Sequence, residues 1–81
     1  DYTKAIELDP GDTDVYYNRG VAYANINQYQ NAIADFDKAI QLNPDYAAAY
    51  GNRSLAYSYL GQRQNADADF AKACSLDSQY C

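Results

Sequence analysis

The chain has no histidine, no tryptophan and no methionine, only two prolines and four glycines, and six basic residues against eleven acidic ones. Each scarcity excludes something. Without histidine the commonest general base at neutral pH is missing, and with it the histidine-containing triads and metal sites. The few Lys and Arg, with a net charge of −5, form no basic stripe to neutralise phosphates or to rest on anionic lipid. Nucleic acid and membrane surfaces are therefore not expected as partners, and a neutral or basic peptide is favoured over an acidic one. Uncharged stretches such as residues 46–52 mix Ala and Tyr with Gly and Asn, so no segment is apolar enough to span a bilayer. Gly11, Gly20, Gly51 and Gly61 are scattered and build no phosphate-cradling loop. Asp35 with Asp37, and Asp67 with Asp69, are two residues apart, so on a helix they diverge and make no paired-carboxylate site. No catalytic residue, metal ligand or cofactor is expected.

Two cysteines, Cys74 and Cys81, lie near one end. A helix continuing through Cys81 would hold their Cα atoms roughly 10 Å apart along its axis. A disulfide needs about 7 Å or less, so a bridge requires the chain to fold back after Asp77. The expectation is reduced thiols in an intracellular chain, with a cytoplasmic setting as no more than the default of that reading. The N-terminus opens in mid-pattern without Met or a signal-like segment, so the chain reads as a fragment of a longer protein.

What is abundant is Ala and Tyr, and a period. Shifted by 34, residues 11–44 match 45–78 at fifteen positions. They include Tyr16/Tyr50, Asn18/Asn52, Arg19/Arg53, Ala22/Ala56, Tyr23/Tyr57, Ala32/Ala66, Asp35/Asp69, Phe36/Phe70, Lys38/Lys72, Ala39/Ala73 and Leu42/Leu76. Residues 1–10 match 35–44 at six positions, ending on Pro10 and Pro44. Apolar spacing inside each period is helical: Tyr16, Tyr23 and Ile26 share one face, and Ala32, Ile33, Phe36, Ala39 and Ile40 share another. Asn27 and Gly61 stand where a left-handed residue would end a first helix. The prolines close the second helices. Five helices are predicted, over 1–9, 13–26, 29–42, 47–60 and 63–76. The organisation is an incomplete repeat at 1–10, full repeats at 11–44 and 45–78, and a tail at 79–81.

This 34-residue helix–turn–helix period resembles the tetratricopeptide repeat. The residues that carry the likeness are Tyr16 and Tyr50, the small Gly20 and Ser54, Tyr23 and Tyr57, Ala32 and Ala66, Phe36 and Phe70, Ala39 and Ala73, and Pro44. Arg19 and Arg53, where leucine is usual, and Ser78, where proline is usual, depart from the family pattern. The resemblance implies an all-α, right-handed solenoid of antiparallel helix pairs whose first helices line a concave groove. Tyr16, Tyr23, Tyr50, Tyr57, Phe36 and Phe70 are expected in the core. Asp1–Lys4, Asp35–Lys38 and Asp69–Lys72 are expected as solvated surface pairs worth about 0.2–0.5 kcal/mol each. Arg19 and Arg53 are expected to lay their stems on apolar surface and pair with Asp35 or Asp69.

Asn18 and Asn52 are the residues that ask for a functional reason, because asparagine is a poor mid-helix residue and it recurs at one repeat position. Their placement resembles the asparagine ladder of the O-linked N-acetylglucosamine transferase repeat domain, which grips a peptide backbone. A carboxamide both donates and accepts, so it can pair with any peptide group. The same face continues through Asp14, Tyr17, Val21 and Asn25, then Ala48, Gly51, Leu55 and Tyr59, giving an apolar and amide groove with aromatic edges. The string from Tyr50 to Ser54 also resembles chaperone-tail co-receptors. Their carboxylate clamp is broken, however: Tyr17 and Val21, or in the other frame Ala48 and Asn52, stand where its basic and amide residues belong.

Two functions are expected from these residues. One is a non-catalytic adaptor that binds a peptide or partner helix in the groove. The other is a structural or self-association module, because the ends lack polar caps and Cys74 and Leu76 would face nothing. The latter makes a homo-oligomer an expected partner state.

Overall fold

The computed structural model describes residues 2–81. Its helices are α1 (Tyr2–Leu8), α2 (Thr13–Asn25), α3 (Tyr29–Leu42), α4 (Ala47–Tyr59) and α5 (Arg63–Leu76), followed by a 3-10 turn over Ser78–Tyr80. The five expected helices are present and the 3-10 turn is an addition. The pairing expected between Asp1 and Lys4 lies outside the described residues. Helices α2 with α3 and α4 with α5 form antiparallel pairs, α3 packs on α4, and α1 packs on α2. No helix among the described residues is long and apolar enough to cross a membrane.

The turns follow from local chemistry. Asn27 and Gly61 adopt φ of 64° and 77°. That conformation lets Gln28 N–H return to Tyr23 O and Gln62 N–H to Tyr57 O, both at 2.9 Å, satisfying carbonyls that the helix end would orphan. Asp12 caps α2 by accepting the Asp14 N–H at 3.1 Å. Asn43 N–H completes the last turn of α3 on Ala39 O, and Pro44 then stops it.

The core is built mainly from alanine. Ala32, Ala39, Ala49, Ala56, Ala66 and Ala73 are buried with Tyr16, and Phe36 is the large side chain that is fully enclosed. Small side chains let the helices approach closely, and one glycine is needed for the ring. A Cβ on Gly20 would sit 2.7 Å from Phe36 Cε1. The second copy has Ser54 at that position, whose hydroxyl donates to Ala66 O at 2.7 Å. Phe70, expected in the core, is instead 51% exposed. The Cβ and hydroxyl of Ser54 fill the space that Gly20 leaves to Phe36, and among the described residues no further long helix covers α5. Ile26, expected on the buried face with Tyr16 and Tyr23, is 62% exposed at the end of α2. Tyr23, Tyr50 and Tyr57 are half-buried.

Asp35 and Asp69 correct the surface-pair expectation. Both are buried. Arg19 donates to Asp35 through Nε (2.8 Å) and Nη2 (2.7 Å), and Arg53 donates to Asp69 through the same two nitrogens (2.7 Å each). The planar fork of the guanidinium matches a carboxylate at two points, which an ammonium cannot do. Lys38 donates instead to Gln41.

The reduced-thiol expectation is overturned. Cys74 and Cys81 form a disulfide with Cα atoms 4.8 Å apart. The backbone at Asp77 is extended, its carboxylate accepts the Gln79 N–H at 3.1 Å, and the 3-10 turn then reverses the chain. That reversal brings together two cysteines that a continued helix would hold apart. Cys74 therefore does not face open space.

Candidate functional site

Helices α2 and α4 lie side by side, and their facing residues form the candidate groove. A cavity of about 300 Å3 opens between them, lined by Val21, Ala24 and Asn25 of α2 and by Asn52, Leu55, Ala56 and Tyr59 of α4. Asn27 and Tyr29 complete the wall. No lining residue is charged. Tyr59 is largely exposed and stacks on Tyr29 with ring centroids 4.7 Å apart and planes at 8°. Tyr29 Oη donates to Asn27 Oδ1 at 2.8 Å, which fixes the inner ring of the pair.

Asn52 is held rather than free. Its Nδ2 donates to Tyr17 Oη at 2.9 Å and to Ala48 O at 3.0 Å. A carbonyl can only accept, so the amide nitrogen must be the group that faces Ala48. Both N–H bonds are thus spent, and the carboxamide offers Oδ1 as an acceptor. Asn18, its counterpart one period earlier, is exposed, as is Asn25.

Nine of the ten residues expected to line the groove fall into two sets, and the tenth, Asn18, is exposed and does not line the cavity. Val21, Asn25, Asn52, Leu55 and Tyr59 border the open cavity. Asp14, Tyr17 and Gly51 contact aromatic rings. Tyr46 stacks on Tyr17 at 4.9 Å and its hydroxyl donates to Asp14 at 3.1 Å. Tyr17 also meets Phe36 at 5.9 Å. A Cβ on Gly51 would lie 2.9 Å from the ring of Tyr80. Ala48 is half-buried one turn before Asn52. The groove therefore has an open end at Asn25 and Tyr59 and a covered end beneath Tyr46 and Tyr80. Burial raises the Tyr17 and Tyr46 phenols above their ordinary pKa, and the Asp14 carboxylate raises Tyr46 further.

Sequence reasoning missed Ala24, Asn27, Tyr29, Tyr46, Ala56 and Tyr80 as groove neighbours. One signal was present: Tyr46 and Tyr80 are themselves 34 residues apart.

Among the described residues no cluster of three or more His, Cys, Asp or Glu could hold a metal ion. The arrangement is that of a helical-repeat scaffold with a shaped groove whose open cavity is uncharged. Two family models, both described as tetratricopeptide repeat, match residues 13–46 and 47–80. The chain belongs to the tetratricopeptide repeat family. Its fold is similar to the first such domain of Spaghetti (RPAP3) solved with the HSP90 peptide SRMEEVD, at TM-score 0.93 and 30% identity over 95% of this chain and 61% of that one. It is also similar to the Arabidopsis OM64 TPR domain, at TM-score 0.94 and 33% identity over 96% of this chain and 64% of that one. The match to MamA has TM-score 0.91 and 31% identity over 96% of this chain and 46% of that one. The chain thus spans less than two thirds of the length of each.

Proposed function

We propose that this chain is a non-catalytic protein-interaction module that holds an extended peptide or a partner helix between α2 and α4. The observation that carries this reading is the uncharged cavity of about 300 Å3 whose wall includes Asn52, with its donors spent and its Oδ1 left to accept a peptide N–H. Val21 and Leu55 offer apolar contact, and Tyr59 a broad ring face, for alternate side chains of the peptide. Support comes from Spaghetti, two of whose repeat domains were solved with an HSP90 peptide. The acidic SRMEEVD sequence suits this groove poorly. Tyr17, Val21 and Ala48 supply no positive charge, Asp14 adds a negative one, and the chain carries −5. A neutral or basic peptide fits better. No cofactor, nucleic acid or membrane takes part.

The test is a peptide-library screen on the chain and on its Asn18→Ala/Asn52→Ala variant, with helicity and mass measured for both. Binding to the parent that the variant loses, at equal helicity, supports the groove. Binding that is equal in both removes the asparagines from the site.

A second reading has its own observation. Half-exposed Phe70 on α5, with Leu8 at the opposite end of the array, leaves apolar surface that a stacked neighbour would cover. Mass that rises with concentration, in the absence of peptide binding, favours this self-association reading.

A further inference from the structure

The covered end of the groove is closed in two different ways by two equivalent tyrosines. Tyr46 and Tyr80 are one period apart, and so are the residues they cover, Tyr17 and Gly51. In the first copy Pro44 sets the turn after α3, and Tyr46 is held because the chain runs on directly into α4. In the second copy Ser78 replaces that proline. Cys74 and Cys81 stand where Ile40 and Ala47 stand in the first, and they are bonded.

Apart from that bond, short-range hydrogen bonds hold the turn, beginning with Asp77 N–H on Ala73 O at 2.9 Å. Asp77 accepts from Gln79 through its carboxylate and from Tyr80 N–H through its carbonyl, and Cys81 N–H donates to Ser78 O. These bonds span two to four residues and shape the turn without tying it to α4. The long-range contact is the Tyr80 ring on Gly51. Tyr80 also helps to raise the phenol pKa of both Tyr17 and Tyr46.

We propose that the Cys74–Cys81 disulfide is a redox latch on the groove. Oxidised, it holds Tyr80 over Gly51 and closes that end; reduced, it frees Tyr80 and lets a peptide extend over Gly51, while Tyr46 stays on Tyr17. This rests on the peptide-groove reading above.

The reductant is a dithiol. One of its thiolates attacks the sulfur of Cys81, which is on an exposed residue. A mixed disulfide forms, and Cys74 leaves as a thiolate that takes a proton. The second thiol of the reductant then displaces Cys81, which is protonated in turn. The chain gains two electrons and two protons, and the dithiol becomes its cyclic disulfide.

The chain has no tryptophan, so Tyr80→Trp places a single fluorescent reporter on the latch. Its anisotropy is to be measured in the oxidised form, after reduction with dithiothreitol, and in a Cys81→Ser background. Titrations with peptides selected from the library accompany each state of the native-Tyr80 chain, and far-ultraviolet circular dichroism confirms that α1–α5 persist. The expected result is lower anisotropy on reduction, with peptide affinity rising about tenfold if one molecule in ten is open while latched. Tyr80→Ala in the oxidised chain should reproduce that gain. A reporter equally fixed in both redox states, with peptides bound, overturns the latch and leaves the groove standing. A freed reporter with unchanged affinity also overturns the latch alone. A freed reporter with no peptide bound in any state overturns the groove reading, and the latch falls with it.

Discussion

Arg53 Nη1 reaches across to Asp37 Oδ1 at 2.7 Å, joining the second repeat to the second helix of the first. The rest of the guanidinium is occupied by buried Asp69, and Tyr50 and Tyr57 lie within 6 Å of its central carbon. One period earlier Arg19 makes the same fork with Asp35, but among the described residues its Nη1 donates to the hydroxyl of Thr3, at 3.4 Å, rather than to a second carboxylate. The two arginines thus have equal roles within a repeat and unequal roles between repeats.

Removing either arginine should strand a buried carboxylate. Arg53→Met is expected to cost about 3–5 kcal/mol in denaturant unfolding, in the range for breaking one partner of a buried pair. Arg19→Met should cost less, because among the described residues it loses no second carboxylate. A double-mutant cycle between Arg53 and Asp37 should return a coupling of about 0.2–1 kcal/mol, since Asp37 is exposed. Equal losses from Arg19→Met and Arg53→Met would show that Asp37 does not bind the repeats together.

Phe36→Ala should destabilise by about 3–5 kcal/mol, as expected for emptying a fully buried aromatic site. Phe70→Ala should cost about 1 kcal/mol or less because half of its surface is already in water. Thermal unfolding followed at the helix band separates the two. Comparable losses would mean that Phe70 is covered in solution, as the self-association reading requires.

Gly20→Ala and Gly51→Ala offer a matched pair. Both gain helix propensity of about 1 kcal/mol. At Gly20 the new methyl meets the buried ring of Phe36, which has nowhere to go, so a net loss of about 1–3 kcal/mol is expected. At Gly51 it meets Tyr80, on a short terminal turn that the disulfide restrains, so in the oxidised chain the clash offsets the gain and stability should hardly change. Hydrogen exchange at residues 78–81 should quicken in Gly51→Ala; unchanged protection there would place Tyr80 elsewhere.

Alkaline titration should unfold the chain through its tyrosines. Tyr17, Tyr46 and Tyr57 have folded pKa values above the ordinary 10.0, with burial the largest cause. The unfolded state therefore loses these protons first. Their contribution to stability is full below pH 10 and is lost as pH rises through the folded values. Denaturant midpoints should fall steadily above pH 10, and less so in Tyr46→Phe. A midpoint indifferent to pH in that range would contradict the burial of these phenols.

Much of the fold was legible because it is local. The 34-residue period, the apolar spacing, the proline stops and the left-handed Asn27 and Gly61 place five helices without reference to distant contacts. The guanidinium–carboxylate pairs were legible in part. The repeat of Arg19 and Arg53 pointed to Asp35 and Asp69, but the three-residue spacing to Lys38 and Lys72 suggested a solvated face, and burial decided otherwise.

The groove shows the same division. By itself the sequence determined which residues share the α2 and α4 faces, since helical geometry follows from spacing alone. Only the tertiary structure decided which of them stay open. Burial and ring contact depend on what neighbouring helices bring to the same place: Tyr46 to Tyr17, Tyr80 to Gly51, and nothing long to Phe70. The disulfide belongs to that second kind. Seven residues of helix would keep Cys74 and Cys81 apart, and only the reversal after Asp77, a matter of where the backbone turns in space, brings them within bonding distance.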